Sequence, residues 1–248
     1  MKETRAEHLA VEKLRPFEGH PFKVVDNEEM DQLTWSILTQ GLLTPLVVRP
    51  LDNGEYEVIS GHRRLHACKK AGIETVPALI TDMNRDAATI PLVASNLHRE
   101  KLLPSEKAFA YKMKMEALKH QGQRTDLTLG QVGTKLRSDE IIAQRSGESR
   151  NQVQRYIRLT NLIPSILQKV DSGEIALTPA VELSYLDKDT QEIVLDAMAQ
   201  EDCTPSYSQT VRLRKLYNSY QLDVETIYEI IAEDKANQRE KISFHVDD

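Results

Sequence analysis

The chain has 248 residues, enough for about two domains, and its net charge of −6 excludes a simple polybasic nucleic-acid binder. No apolar run approaches membrane-spanning length and no signal peptide is visible, so no membrane contact and a cytoplasmic location are expected. Cys68 and Cys203 sit in no CxxC or Cys/His cluster and read as free thiols of a reducing compartment. The charge is uneven, however. Between Pro104 and Thr160 there are 11 Lys and Arg against 6 Asp and Glu, and a basic middle in an acidic chain points to a local polyanion contact.

In chain order, residues 1–13 are polar and predicted to be loosely ordered, and Leu14–Phe22 reads as a loop broken by two prolines and a glycine. Asn27 or Asp26 caps a helix whose Met30, Leu33, Ile37 and Leu38 recur at helical spacing until Gly41. Leu46–Arg49 and Tyr56–Ile59 read as strands around an Asp52-Asn53-Gly54 hairpin turn. A helix from Leu65 to Ala71 stops at Gly72, Val76–Ile80 is the next strand, and Asp86–Leu97 is a helix. After Leu103 strands nearly vanish. Pro104 opens a helix with Phe109, Met113 and Leu118 on its apolar side, ending near Gly122, and residues 122–138 read as a loop or hinge. Pro164, Asp187 or Asp189, Ser206 with Gln209, and Asp223 mark further amphipathic helices. Lys241–Val246 alternates like the start of a strand. The fold class is α+β: a small mixed α/β domain, residues 1–103, then helices.

Two stretches carry chemistry. In Tyr56–Pro77 a strand meets Ser60-Gly61-His62-Arg63-Arg64 and then a helix. A glycine turn lets backbone approach a ligand, the new helix offers free N–H groups, and paired arginines add forked, permanently charged donors. The combination suits a phosphate chain; an ordinary solvated helix face is the competing reading. The pattern GxxxxGK[ST] is absent, so this is no Walker loop. The second stretch, Ile141–Leu159, has helix-turn-helix grammar, with Ala143 in the first helix, Gly147 in the turn, and Ser149 and Gln152 as a capping pair. Val153 and Ile157 face inward. Ser149, Arg150, Asn151 and Gln154, with Gln152 beside them, are placed near bases, and Arg155 and Arg158 on phosphates. A helical hairpin with a solvated basic face is the competing reading here.

Gly61-His62-Arg63-Arg64, then Ser95-Asn96-Leu97-His98-Arg99, then the helix-turn-helix resemble, in that order, the ParB family of chromosome and plasmid partition proteins, which writes them GERR, ENxQR and helix-turn-helix. The resemblance runs from about Leu9 to Leu186. It implies a ParB/sulfiredoxin-like domain over 1–103 that binds CTP with Mg²⁺, and a helix-turn-helix domain over 104–186 that binds a palindromic, parS-like centromere site. It also implies a homodimeric, nucleotide-gated clamp, a ParA-type ATPase as partner, and a nucleoid- or plasmid-associated location. Residues 187–248 would be a helical segment of a chain that is truncated or lacks the family's dimerisation domain. The nucleotide-binding set is Gly19, His20, Gly61, His62, Arg63, Arg64, Asn96 and Arg99, with Asn96 also the Mg²⁺ ligand.

The departures are specific. His62 replaces the glutamate of GERR, and Ser95 replaces the metal-binding glutamate, which implies weaker Mg²⁺ binding. His20 and Phe22 replace a glutamine and an arginine of the first motif, so weak CTP hydrolysis is the most enzymatic activity implied. Thr178–Leu183 replaces the family's GHARAL helix, and an acidic Glu182 there predicts a DNA site other than the common parS. His20, His62 and His98 are either substitutions at family positions or a pH-sensitive cluster. Two rival functions remain: a helix-turn-helix transcriptional regulator of the same fold without nucleotide function, motivated by His62 and Ser95, and a small-molecule kinase or phosphoryl transferase on the ParB-like fold.

Overall fold

A computed structural model describes residues 4–97, 99, 102–125 and 138–233, without the side chains of 122–125. The chain forms two compact units, Met1–Ile157 and Arg158–Asp248. Among the described residues no helix is long and apolar enough to cross a membrane.

The first unit is built on a mixed sheet of strand order β1-β5-β3-β4-β2: β1 (Thr4–Ala10), β2 (Leu14–Pro16), β3 (Leu46–Pro50), β4 (Tyr56–Ser60) and β5 (Thr75–Thr81). β1 and β5 are antiparallel, as are β3 and β4, while β3–β5 and β2–β4 are parallel. Two sequence expectations are corrected here. Residues 4–10 form an edge strand, with Leu9 opposite Val76, because pairing to β5 supplies the order that their polar side chains cannot. Leu14–Pro16 is a strand on the opposite edge, where a proline needs no ladder donor.

Alternation along the strands feeds two cores. Val58, Val48, Ala78 and Leu46 pack with Met30 and Ile37 of α1 (Glu28–Gln40) and Leu65 and Cys68 of α2 (His62–Lys70). Ile59 turns to the other face, with Phe17, Phe22 and Leu92 and Val93 of α3 (Arg85–Asn96). Asn27 caps α1 through the Met30 amide, and Gly41 ends it, as the spacing predicted.

α4 (Pro104–Thr125) packs along α3 and runs past Gly122. Its buried side is Tyr111, Lys114 and Met115, whereas Phe109, expected inside, is 42% exposed. Met113 and Leu118 pack against the two cores as expected, and the fully buried positions lie beside them, because α4 serves two cores at once. α5 (Ser138–Ser146) and α6 (Arg150–Arg158) complete the unit around Tyr111, Ile142, Ala143 and Val153. Most of the expected loop 122–138, residues 126–137, lies outside the described residues, as does Lys241–Val246.

The second unit packs α7 (Pro164–Asp171), α8 (Leu177–Leu183), α9 (Lys188–Gln200), α10 (Tyr207–Asn218) and α11 (Val224–Ala232). Asp187 and Asp223 cap α9 and α11, and Ser206 with Gln209 forms the expected capping box. Fully buried Gln191 accepts from the Ile163 amide at 2.8 Å and donates to the Leu186 carbonyl at 2.9 Å.

Candidate phosphate pocket and helix-turn-helix

Gly61 is where β4 turns into α2. Its φ is +105°, and a Cβ there would come within 2.5 Å of Leu46 Cδ2 and 3.0 Å of Arg64 Nη2. Glycine is therefore required both for the left-handed turn and for space. α2 begins at His62, one residue inside the turn, with no side-chain cap and no acid in its first turn. Its N-terminal amides and dipole are left for an anion.

A cavity of about 200 Å³ opens at this helix end, and it brings together His20, Gly61, His62, Arg63, Arg64, Asn96 and Arg99, joined by Val24, Ser60 and Ser95. Of the residues assigned to nucleotide, only Gly19 is elsewhere: it lines a groove between α3 and α4 with Arg85, Phe109 and His120. Arg64 Nη1 donates to the Pro45 carbonyl at 2.9 Å and to the Thr44 carbonyl, which aims its guanidinium without cancelling its charge. Arg63 meets Glu29 at 3.1 Å, a pair whose carboxylate is 70% exposed and hence weak. Burial holds the Arg64 and Arg99 guanidiniums below their usual range; for Arg99 the Arg63 charge adds to the effect and the Glu106 carboxylate opposes it. None of the described lining residues is a carboxylate.

His20 and His62 stack with ring centroids 3.7 Å apart. His20 Nδ1 bonds the Phe22 carbonyl at 2.8 Å, which places its proton there. His20 Nε2 is then an acceptor, buried and without a hydrogen-bond partner. The Phe17 amide donates to His62 Nε2 at 3.2 Å. Both rings suit the neutral form: burial pushes His62 down to about 3, with the charges of His20 and Arg99 adding to it, and burial also lowers His20. His98 lies outside the described residues.

Glu106, which the sequence reading missed, is buried, and its charge acts on His20 and Arg99. Its two oxygens accept from the Lys23 amide at 2.8 Å and the Leu103 amide at 3.0 Å. The signal existed, since a glutamate three residues after Leu103 at a helix start can reach back in this way.

Asn96 Nδ2 donates to the Leu92 carbonyl at 2.8 Å, as does Ser95 Oγ at 3.0 Å, so the Ser95 hydroxyl oxygen and the Asn96 side-chain oxygen remain as acceptors, both of them neutral. Among the described residues no group of three His, Cys, Asp or Glu could hold a metal. Mg²⁺ is ordinarily held by one or two carboxylates with substrate phosphates. The residues fit a phosphate chain and do not fit the metal.

The helix-turn-helix is formed as the spacing predicted. Gly147 has φ +71°, and Ser149 Oγ accepts from the Gln152 amide at 3.2 Å while Val153 is fully buried. The outward residues differ from expectation. Buried Asp139 of α5 accepts from Arg150 Nε at 2.7 Å and from Gln154 Nε2 at 3.0 Å through one oxygen. Two residues assigned to bases are thus held by an internal carboxylate. Ser149 and Asn151 are exposed, Gln152 is half-buried, and Arg155 is half-buried and already engaged. The turn is tied to α4 where Lys107 meets Glu148 at 2.9 Å.

Arg158, assigned to phosphate, belongs to the second unit's packing. Its Nη2 donates to the Ser184 carbonyl at 2.8 Å, and its guanidinium lies 3.7 Å from the Tyr185 ring centre, with Arg214 at 3.4 Å from the same ring. Arg214 pairs with Glu182 at 2.9 Å. Glu182 is therefore charge-balanced, and the repulsion argument for a divergent DNA site fails.

Comparison with known proteins gives two family matches: the ParB N-terminal domain over residues 1–97 and the ParB HTH domain over residues 100–214. "Probable chromosome-partitioning protein ParB" of Pseudomonas putida is 32% identical over 75% of this chain and 58% of that protein. "Stage 0 sporulation protein J" of Bacillus subtilis is 33% identical over 71% of this chain and 56% of that protein. The matched segments thus span little more than half of these relatives. A solved Pnob8-like ParB-N domain is 19% identical, with a TM-score of 0.51 over 93% of this chain and 99% of that chain, a likeness of fold alone.

Proposed function

Because this chain belongs to the ParB family, we propose that it is a partition protein that binds a palindromic, parS-like DNA site as a homodimer and is gated by CTP. The observation that carries the reading is the convergence of Arg63, Arg64 and Arg99 with the Gly61 turn on one cavity, in a chain that also presents a formed helix-turn-helix. Arg64, whose guanidinium meets only backbone carbonyls in its hydrogen bonds, and Arg63, whose exposed partner Glu29 is weakly held, sit beside an uncapped helix start, and such guanidiniums bind phosphate oxygens in pairs. In this reading Ser149, Asn151 and Gln152 approach base edges, and Arg155 reaches a phosphate once its present contact gives way. Nucleotide and DNA together would close the dimer into a clamp, and a ParA-type ATPase would be its partner. Plasmid or mobile-element DNA is the expected substrate, with the protein held on the replicon in the cytoplasm.

The test is footprinting of fragments from the host replicon, followed by retention on closed circular against linear DNA. Protection of one palindrome, with CTP then giving retention on circles only, is the expected result. Uniform protection together with no CTP binding would sink the proposal.

A regulator without nucleotide function is the second reading. The stacked His20–His62 pair favours it, because two neutral rings take up space at the phosphate end of a cavity of about 200 Å³. Calorimetry with CTP separates the two readings. The phosphoryl-transferase reading has little support, since no described lining residue is a carboxylate that could take the acceptor's proton.

A further inference from the structure

We propose that this pocket holds the phosphate chain of its nucleotide without a divalent cation, with Arg63, Arg64 and Arg99 supplying the charge that a metal ion would otherwise supply. The inference rests on the nucleotide reading of the same site.

Three features carry it. The first is the balance of charge. Three guanidiniums line the cavity, and the α2 N-terminus adds roughly half a positive charge. Glu29 on Arg63 and Glu106 on Arg99 offset part of this, and the balance is still positive and suited to a phosphate chain. Arg64 is anchored on two backbone carbonyls and Arg99 is half-buried, so neither needs to be ordered when the ligand arrives. The Arg63–Glu29 pair is exposed, and its release costs little.

The second is the ligand set. A hard dication wants anionic oxygen in near-octahedral array. The described lining residues offer as oxygen ligands Ser95 Oγ and the Asn96 side-chain oxygen, both neutral. The third is the field. A dication entering here would meet three like charges on the lining, close enough that Arg63 acts on Arg99, and Glu106 offsets that effect only in part. The two imidazoles meet the same field and remain neutral, and the orphaned His20 Nε2 is an acceptor that no phosphate oxygen can satisfy. It is free to accept from an N–H or O–H of the nucleotide or from a water.

The experiment is calorimetric titration of the whole chain with CTP and, separately, with inorganic tripolyphosphate, each in EDTA and in MgCl₂. Dissociation constants in EDTA within about 3-fold of those in Mg²⁺, or tighter, are expected. Ser95→Glu places a carboxylate beside Asn96 and should make binding at least about 10-fold tighter in Mg²⁺ than in EDTA. Wild-type binding that appears only with Mg²⁺ overturns the inference and leaves the nucleotide reading standing. No binding in either buffer overturns both.

Discussion

Around Gly61 the arginines meet backbone carbonyls and one exposed carboxylate; from Arg150 to Arg158 they are held by internal partners, Asp139 for Arg150 and the Ser184 carbonyl with the Tyr185 ring for Arg158. The first region keeps positive charge in reserve for an anion. In the second the charge is spent on fixing helices, and the exposed groups that remain, such as Asn151, are neutral. The difference teaches that an anion site is located by asking what already balances each arginine, and that counting arginines along a helix overstates the case.

The contrast can be broken most forcefully at Asp139. Asp139→Ala should lower stability in urea by about 2–3 kcal/mol, because a buried carboxylate serving two donors is lost. It should also free Arg150, steepening the log–log salt dependence of DNA binding by about 1. Unchanged unfolding midpoints would show that the internal pairing is unimportant. In the other region, Gly61→Ala forces a side chain into a φ of +105° and against Leu46, and should cost about 1–3 kcal/mol of stability. It should also remove nucleotide heat in calorimetry.

The histidine pair offers a pH test of about 2 kcal/mol. His62 is depressed from 6.5 to about 3, so between those values the unfolded chain binds more protons than the folded one. Its contribution is complete above pH 6.5 and falls as pH drops; at pH 5 it should be smaller by about 2 kcal/mol, at about 1.4 kcal/mol per pH unit. His62→Gln should flatten that slope in unfolding measurements made at pH 7 and pH 5. The smallest effect separates two arginines that the sequence treats alike. Arg155→Ala should reduce the salt slope of DNA binding by about 1. Arg158→Ala should lower the melting temperature of the second unit and leave that slope unchanged, because its guanidinium already lies between Tyr185 and Ser184.

Sequence alone determined what depends on local chemistry. The caps at Ser206 and Asp223, those at Asn27 and Asp187 as one of two neighbours each, the turns at Gly54, Gly61 and Gly147, and the order of glycine turn, asparagine box and helix-turn-helix could be read, because each is settled by residues within a few positions of one another. Tertiary structure decided the rest. β1 and β2 exist because distant strands accept them at the two sheet edges. Phe109 is turned outward because α4 divides its burial between two cores. Arg150, Arg158 and Glu182 are engaged by Asp139, Tyr185 and Arg214, partners 11 to 32 positions away. An arginine's charge is legible in sequence; the counter-charge that occupies it is brought by folding, and only there does the site for an anion become defined.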